Sequence, residues 1–286
     1  MLYEISHTTI YRFSRTVFLE PHIVRLVPRS NADQRLRQFE IEFSPTPDGV
    51  ADLIDAEGNA AVQAWFGGLT ESLTISCRGQ VETLRTNPFQ YLPQAESMRV
   101  PLSMSDGLSA TLARYRSCHP SAVATDAVSE FAQATTRHAD GDLPAFLSLL
   151  TQRLYNDWET IHREKGPPWE ATETLERLRG SCRDLTVLFM ETCRAQGVPA
   201  RFVSGYQEGD LDQARRELHA WPEIYIPGGG WRGFDPTHGL AVSDRHIPLA
   251  AAAHPSDAAP VVGSFRGTDA VVEMTVDIDL QVSDAV

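Results

Sequence analysis

Gly180-Ser181-Cys182-Arg183-Asp184-Leu185-Thr186-Val187-Leu188-Phe189-Met190 leads from a small-residue turn straight into an apolar run. The spacing predicts a helix over 182–196, stopped by Gly197 and Pro199 in the usual order of glycine cap, then proline. Downstream the texture changes to strand. Ala200-Arg201-Phe202-Val203-Ser204-Gly205-Tyr206 comes first, then Ala220-Trp221-Pro222-Glu223-Ile224-Tyr225-Ile226, then Trp231-Arg232-Gly233-Phe234-Asp235. Upstream, apolar residues recur at helical spacing over 121–136 and 143–158, and Gly166-Pro167-Pro168 breaks the chain before a further helix over 171–178. Helices followed by an antiparallel sheet make this part α+β.

The first 95 residues read differently. Leu2 to Phe13 is rich in β-branched and aromatic residues, Phe39-Glu40-Ile41-Glu42-Phe43 alternates at period two, and Ser44-Pro45-Thr46-Pro47-Asp48-Gly49 is a turn cluster. Short strands at this spacing predict a small N-terminal β-sandwich with no polar cluster that resembles chemistry. Asn87-Pro88, Leu92-Pro93 and Val100-Pro101 mark the changeover. The expected organisation is an all-β domain over 1–95, a linker over 96–120 and an α+β domain over 121–286, with the strand-like tail 270–282 as its last strand.

With 286 residues the chain can bury one large core or two smaller ones. Its formal net charge of -13 repels phosphate backbones, so nucleic acid is not an expected partner. No stretch approaches the roughly 18 apolar residues that span a bilayer, and there is no basic amphipathic helix for a membrane surface. The start lacks the basic and apolar regions of a secretory signal, which makes a cytoplasmic location the expectation. Four cysteines, at 77, 118, 182 and 193, form no C-x-x-C pair, and reduced thiols are expected.

Of these, Cys182 is placed for chemistry. With Ser181 as N-cap and Asp184 in the first turn, it lies at the positive end of the helix, where a thiolate is stabilised. Backbone N–H groups of that turn lack helical acceptors and could bind a developing oxyanion. Gly180 would let a substrate carbonyl approach the backbone. These five residues alone accommodate an inert buried thiol equally well.

A thiol nucleophile needs a base, and a base is helped by a carboxylate that orients it. His219 opens the strand that contains Trp221, and Asp235 ends the next one. The two strands should pair as a hairpin through Pro227-Gly228-Gly229-Gly230. A register pairing Ile226 with Trp231 sets Asp235 opposite Pro222, on the wrong face for His219. An odd loop or a bulge instead pairs Asp235 with Trp221, which makes it a same-face neighbour of His219. Glycines in the turn make the odd loop cheap. His238, His246 and His254 follow in a loop-rich stretch without metal-ligand spacing, so no zinc site is expected.

Taken in order, four segments resemble the transglutaminase-like cysteine enzymes of bacteria: Gly180 to Asp184, Gly197 to Tyr206, His219-Ala220-Trp221-Pro222-Glu223, and Gly230 to Thr237. The resemblance implies a papain-like transglutaminase core with a Cys-His-Asp triad on Cys182, His219 and Asp235. It implies acyl transfer through a thioester, with hydrolysis if water accepts and amide exchange if an amine does. Substrates would be peptides, proteins or other amides, with no cofactor. Many relatives carry Gln or another residue at position 183, and Arg183 looks like one bacterial subgroup. The family's oxyanion donor lies upstream of the nucleophile, with Trp158 and Trp169 as candidates, while Ser181, Tyr206 and Trp221 are candidates for lining the cleft. The competing reading is a catalytically silent module that keeps the fold and binds peptide.

Overall fold

The computed structural model describes residues 1–117, 126–163, 165–209 and 217–283. Cys118 and the expected start of the helix at 121–125 lie outside the described residues.

Strand Leu2–Leu19 is the axis of the N-terminal unit. Its odd residues from Tyr3 to Thr9 point inward, the period-two pattern of a sheet with one covered face. It pairs antiparallel with Thr70–Thr83 on one side, and Gln34–Ser44 continues the sheet beyond that strand. A second antiparallel sheet holds His22–Val24, Gly49–Ile54 and Ala60–Trp65. Tyr3, Ile5, Leu73 and Ile75 from the first sheet share one apolar cluster with Val24 and Ala64 from the second.

The other neighbour of Leu2–Leu19 corrects the expected domain boundary. Val272–Ser283 pairs with it from Leu2 to Phe13, so the chain's last strand belongs to the first sheet and not to the α+β part. Val261–Val262 and Phe265–Arg266 also return, to His22–Val24 and Phe18–Leu19. Local pattern shows that a tail is a strand, but not which sheet it joins.

The expected linker is also partly structured. Asp106–Thr111 and Ala113–Arg116 are short helices, the first capped by Ser105, whose Oγ accepts from the Leu108 N–H. Tyr115 donates to Glu57 at 2.7 Å, and its carbonyl accepts from Arg194. This segment is pinned between the two units.

The α+β part is a five-stranded antiparallel sheet in the order Leu240–Ala241, Gly230–Asp235, Leu218–Ile226, Ala200–Gln207, His246–Ala252. Helices Asp126–His138, Leu143–Asp157 and Cys182–Arg194 accompany it. Phe146, Leu150, Leu188 and Phe189 from the helices meet Phe202, Ile224 and Phe234 from the sheet in one core. Phe189 stacks on Phe234 with centroids 6.0 Å apart, which fixes the helix that begins at Cys182 against the strand that ends at Asp235. Among the described residues no helix is long and apolar enough to cross a membrane.

The return of the last strand can be tested by truncating its buried side chains. Ile278→Ala should cost about 2 kcal/mol in urea unfolding, while Thr275→Ala on the opposite, exposed face of the same strand should stay within about 0.5 kcal/mol. Equal effects would place the strand elsewhere.

Candidate active site

The site is where helix Cys182–Arg194 begins against the ends of two strands. Ser181 precedes the helix in extended conformation, and its carbonyl accepts from the N–H groups of Asp184 and Leu185. The N–H groups of Cys182 and Arg183 come before any helical acceptor and, among the described residues, donate to no backbone carbonyl, which leaves them open to an incoming oxygen.

The fully buried Asp184 carboxylate holds this turn. It accepts from the Ser181 N–H at 2.7 Å and hydroxyl at 2.6 Å, the Trp169 N–H at 2.8 Å, and Arg163 through Nε at 3.0 Å and Nη2 at 2.7 Å. Burial alone would raise its pKa, but these donors outweigh burial and hold it below the usual carboxylate range. Arg183 donates to the carbonyls of Arg163 and Lys165, so two arginines tether the segment beside the nucleophile. Gly180 has a different role from the one expected. A Cβ there would lie 2.8 Å from the Asp184 Cβ and 3.3 Å from Thr174, so its missing side chain makes room for the cap rather than for substrate.

The hairpin takes the odd register. Ile226 pairs with Gly230 and Tyr225 with Trp231, leaving Pro227, Gly228 and Gly229 as a three-residue turn. Gly228 and Gly230 have positive φ, which glycine adopts without strain. Continued along the strands, this register sets Asp235 against Trp221 and diagonal to His219. The His219 Nε2 is 2.9 Å from the Asp235 Oδ2. Its other nitrogen, Nδ1, is not engaged by Asp235, and Cys182 is near enough to add to the proton affinity of the ring. The fold therefore brings the three residues picked from sequence together, with His219 and Asp235 in direct contact and Cys182 acting on the same ring.

Sequence reading missed the rest of this chain. His238 Nδ1 and His246 Nε2 also lie 2.9 Å from the same Asp235 oxygen. Oδ1 accepts from the backbone N–H groups of Thr237 and His238. His238 and His246, set aside for want of linear spacing, converge on Asp235 through the fold. His219, Asp235 and His238 place one ligand atom each within 4.8 Å of one another. His254 is not part of that group.

The electrostatics follow from these contacts. Burial would push Asp235 up, but the charge and hydrogen bonds of His219, with donation from His238 and His246, hold it well below the carboxylate range. Burial would push His219 down. Asp235 and then Cys182 overcome this and raise it to about 10. Burial prevails at His246, which is lowered. Of the other described cysteines, burial pushes the Cys77 thiol up to about 12 and Cys193 well above its ordinary value. Cys193 sits in the core at the far end of the helix from Cys182.

The five further candidates are placed less favourably. Trp158 is buried and its indole N–H donates to the Thr174 carbonyl at 3.0 Å, so it has no donor to spare for an oxyanion. Trp169 lies between the guanidiniums of Arg163 and Arg177, 4.5 and 4.8 Å from its ring centroid, beside the nucleophile turn. Ser181 spends its hydroxyl on Asp184. Tyr206 is buried towards the N-terminal unit and bonds to His7 at 2.8 Å. Trp221 is fully buried and forms a floor, stacked 6.1 Å from His219 and edge-on 5.0 Å from His246. It lies across the neighbouring strand, where a Cβ at Gly205 would come 2.7 Å from its ring. Tyr206 and Trp221 thus support the sheet and do not line a cleft.

The sequence matches two family descriptions. Residues 3–82 match the bacterial transglutaminase-like N-terminal region, and residues 129–236, which hold Cys182, His219 and Asp235, match the transglutaminase-like superfamily. The two matches fall on the N-terminal β unit and on the part that carries the candidate site. An uncharacterized protein of Mycobacterium tuberculosis is 26% identical over 290 residues, covering 96% of this chain and 92% of its own. A protein-glutamine gamma-glutamyltransferase of Pseudomonas aeruginosa is 39% identical over 69 residues, covering 22% of this chain and 10% of its own. The crystal structure of a "Putative Cysteine Protease" from Cytophaga hutchinsonii superposes with a TM-score of 0.71 at 21% identity, covering 100% of this chain and 92% of that one. The transglutaminase-like architecture with its N-terminal β unit is therefore shared along the whole chain.

Asp184 generates a test of its own. Asp184→Asn leaves Arg163 without its buried partner and should cost about 3 kcal/mol at pH 7. A depressed carboxyl pKa stabilises the fold above the unfolded value of about 3.9, and this is lost as pH falls through the folded value. The gap between wild type and variant in urea unfolding should therefore be smaller at pH 3 than at pH 7.

Proposed function

We propose that this transglutaminase-like protein is a cysteine-nucleophile acyl-transfer enzyme acting on amide or peptide bonds. The observation that carries the reading is the His219 ring, held 2.9 Å from a fully buried Asp235 and raised in proton affinity by Asp235 and then by Cys182. A buried carboxylate only accepts hydrogen bonds, so Nε2 of His219 carries the proton towards Asp235 and Nδ1 faces the thiol. The high proton affinity of His219 suits it to take the thiol proton as the sulfur attacks.

In this mechanism the Cys182 sulfur attacks the amide carbonyl carbon, and the charge on its oxygen is met by the free N–H groups of Cys182 and Arg183. His219 gives its Nδ1 proton to the leaving amine as the C–N bond breaks, leaving a thioester on Cys182. An acceptor, water or a second amine, then loses a proton to His219 and displaces the sulfur, which releases acid or a new amide. Asp235 keeps the imidazole oriented and stabilises its charged form without taking the proton. Trp169 is the upstream candidate that remains for an additional oxyanion donor.

Two findings support an acyl donor of the amide type. The superfamily match covers all three residues, and the local relative from Pseudomonas aeruginosa is named for transfer of a glutamyl group. Nothing in the geometry favours a silent binding module, because a binding role gives no reason to align thiol, imidazole and carboxylate.

Iodoacetamide should label Cys182 faster than Cys77 and Cys193, which are buried. His219→Ala should slow that labelling by about 10²-fold or more, and Cys182→Ala should abolish turnover of amide substrates while leaving thermal unfolding unchanged. Equal labelling of all cysteines, or none at Cys182, would favour the binding module.

A further inference from the structure

We propose that His219, Asp235 and His238 form an inhibitory zinc site laid over the active centre. That the site inhibits rests on the proposed function; that it binds zinc does not.

The donor set comes first. Two imidazole nitrogens and one carboxylate oxygen, with a fourth position open, form a ligand set that suits Zn²⁺ and not the oxygen-seeking Ca²⁺ or Mg²⁺. All three atoms lie within 4.8 Å of one another, and both nitrogens are 2.9 Å from the oxygen. Zinc bonds of about 2.0–2.2 Å put neighbouring ligand atoms roughly 3.3 Å apart in a tetrahedron, so each N–O edge need open by only a few tenths of an ångström, and the N–N edge is at most 4.8 Å. Access is present, because the His238 side chain is 37% exposed while Asp235 is not exposed at all.

The hydrogen bonding also invites a cation. Asp235 receives five N–H groups: three imidazoles on Oδ2 and two backbone amides on Oδ1. A carboxylate offers about four lone-pair sites, so donors outnumber acceptors here. Replacing two of the N–H donors by lone pairs directed at one cation relieves the surplus. His246 keeps its Nε2–H on Asp235 and serves as an outer partner of the kind that orients metal ligands.

The proton balance gives the consequence. Zinc takes the Nε2 lone pair of His219 and the Nδ1 lone pair of His238, and each neutral ring keeps its single proton on the opposite nitrogen. His219 then presents Nδ1–H to Cys182 and cannot accept the thiol proton. Metal binding therefore switches off the base without occupying the nucleophile.

The test is calorimetric titration of ZnCl₂ into the tag-free full chain, with Co²⁺ ligand-field absorption as a readout of geometry. One zinc per chain is expected. His238→Asn keeps an N–H donor for Asp235 but removes the ring nitrogen, and should weaken binding by at least about tenfold. Cys182→Ala should bind zinc within about threefold of wild type. Zinc should slow iodoacetamide labelling of Cys182 in the wild type and not in His238→Asn. Should His238→Asn fail to fold, His219→Asn serves for the binding measurement. No binding, equal binding by His238→Asn, or loss of binding in Cys182→Ala would each overturn the site. Unselective cysteine labelling in the zinc-free wild type would instead sink the enzymatic reading and leave the zinc site standing.

Discussion

Asp235 is an anion without access to water, and one end of the α+β sheet is arranged around keeping it charged. An isolated carboxylate in that position would protonate, because desolvation penalises the ion by several kcal/mol. Three imidazoles and two backbone amides offset that penalty. The strands that deliver those groups must therefore end where they do. The three-residue turn at Pro227, Gly228 and Gly229 brings Asp235 to the face of His219, and a turn one residue longer or shorter would bury the carboxylate against the wrong side chains. Trp221 closes the cluster from below, and Gly205 leaves space for its ring.

A second buried carboxylate does for the proposed nucleophile what Asp235 does for the proposed base. Asp184 gathers Ser181, Trp169 and Arg163, so the turn that presents Cys182 is fixed from three separate parts of the sequence. The stacking of Phe189 on Phe234 then sets the distance between the two carboxylate-centred clusters. Polar groups fix the orientation of Cys182 and His219, and apolar packing fixes their separation. The thiol and the imidazole can meet only when both are satisfied.

The sequence made legible whatever depends on neighbours along the chain. The helix behind Cys182, its glycine-proline stop, the strands that carry His219 and Asp235, and the need for an odd hairpin all follow from local periodicity and turn chemistry. Three things depend on which distant segments meet. The strand Val272–Ser283 is recognisable as a strand, yet its partner Leu2–Leu19 lies at the other end of the chain. His246 reaches Asp235 because its strand pairs with Ala200–Gln207, two strands away from Asp235's own. Arg163 carries no motif at all and is significant only because Asp184 is buried beside it. Trp158, Tyr206 and Trp221 were attractive as aromatic residues near the motifs, but their side chains face Thr174, His7 and His246.

The N-terminal β unit gains a physical role from the same contacts. Strand His246–Ala252 serves two cores at once: Ile247 and Leu249 pack with the sandwich, while Ala250 and Ala252 pack with the helices. On the adjacent strand Tyr206 bonds to His7, and Glu208 just beyond it accepts from Tyr3. Both of these bonds are buried, and both join the central strand of the first unit to the sheet that carries His219. His246 opens the shared strand, one residue from Ile247. A change in the sandwich that moved this strand would reach Asp235 through the His246 ring before it reached Cys182, which is held from the opposite side by Asp184. The β unit therefore braces the half of the site built on His219, Asp235 and His246, and the helical half braces the Cys182 thiol.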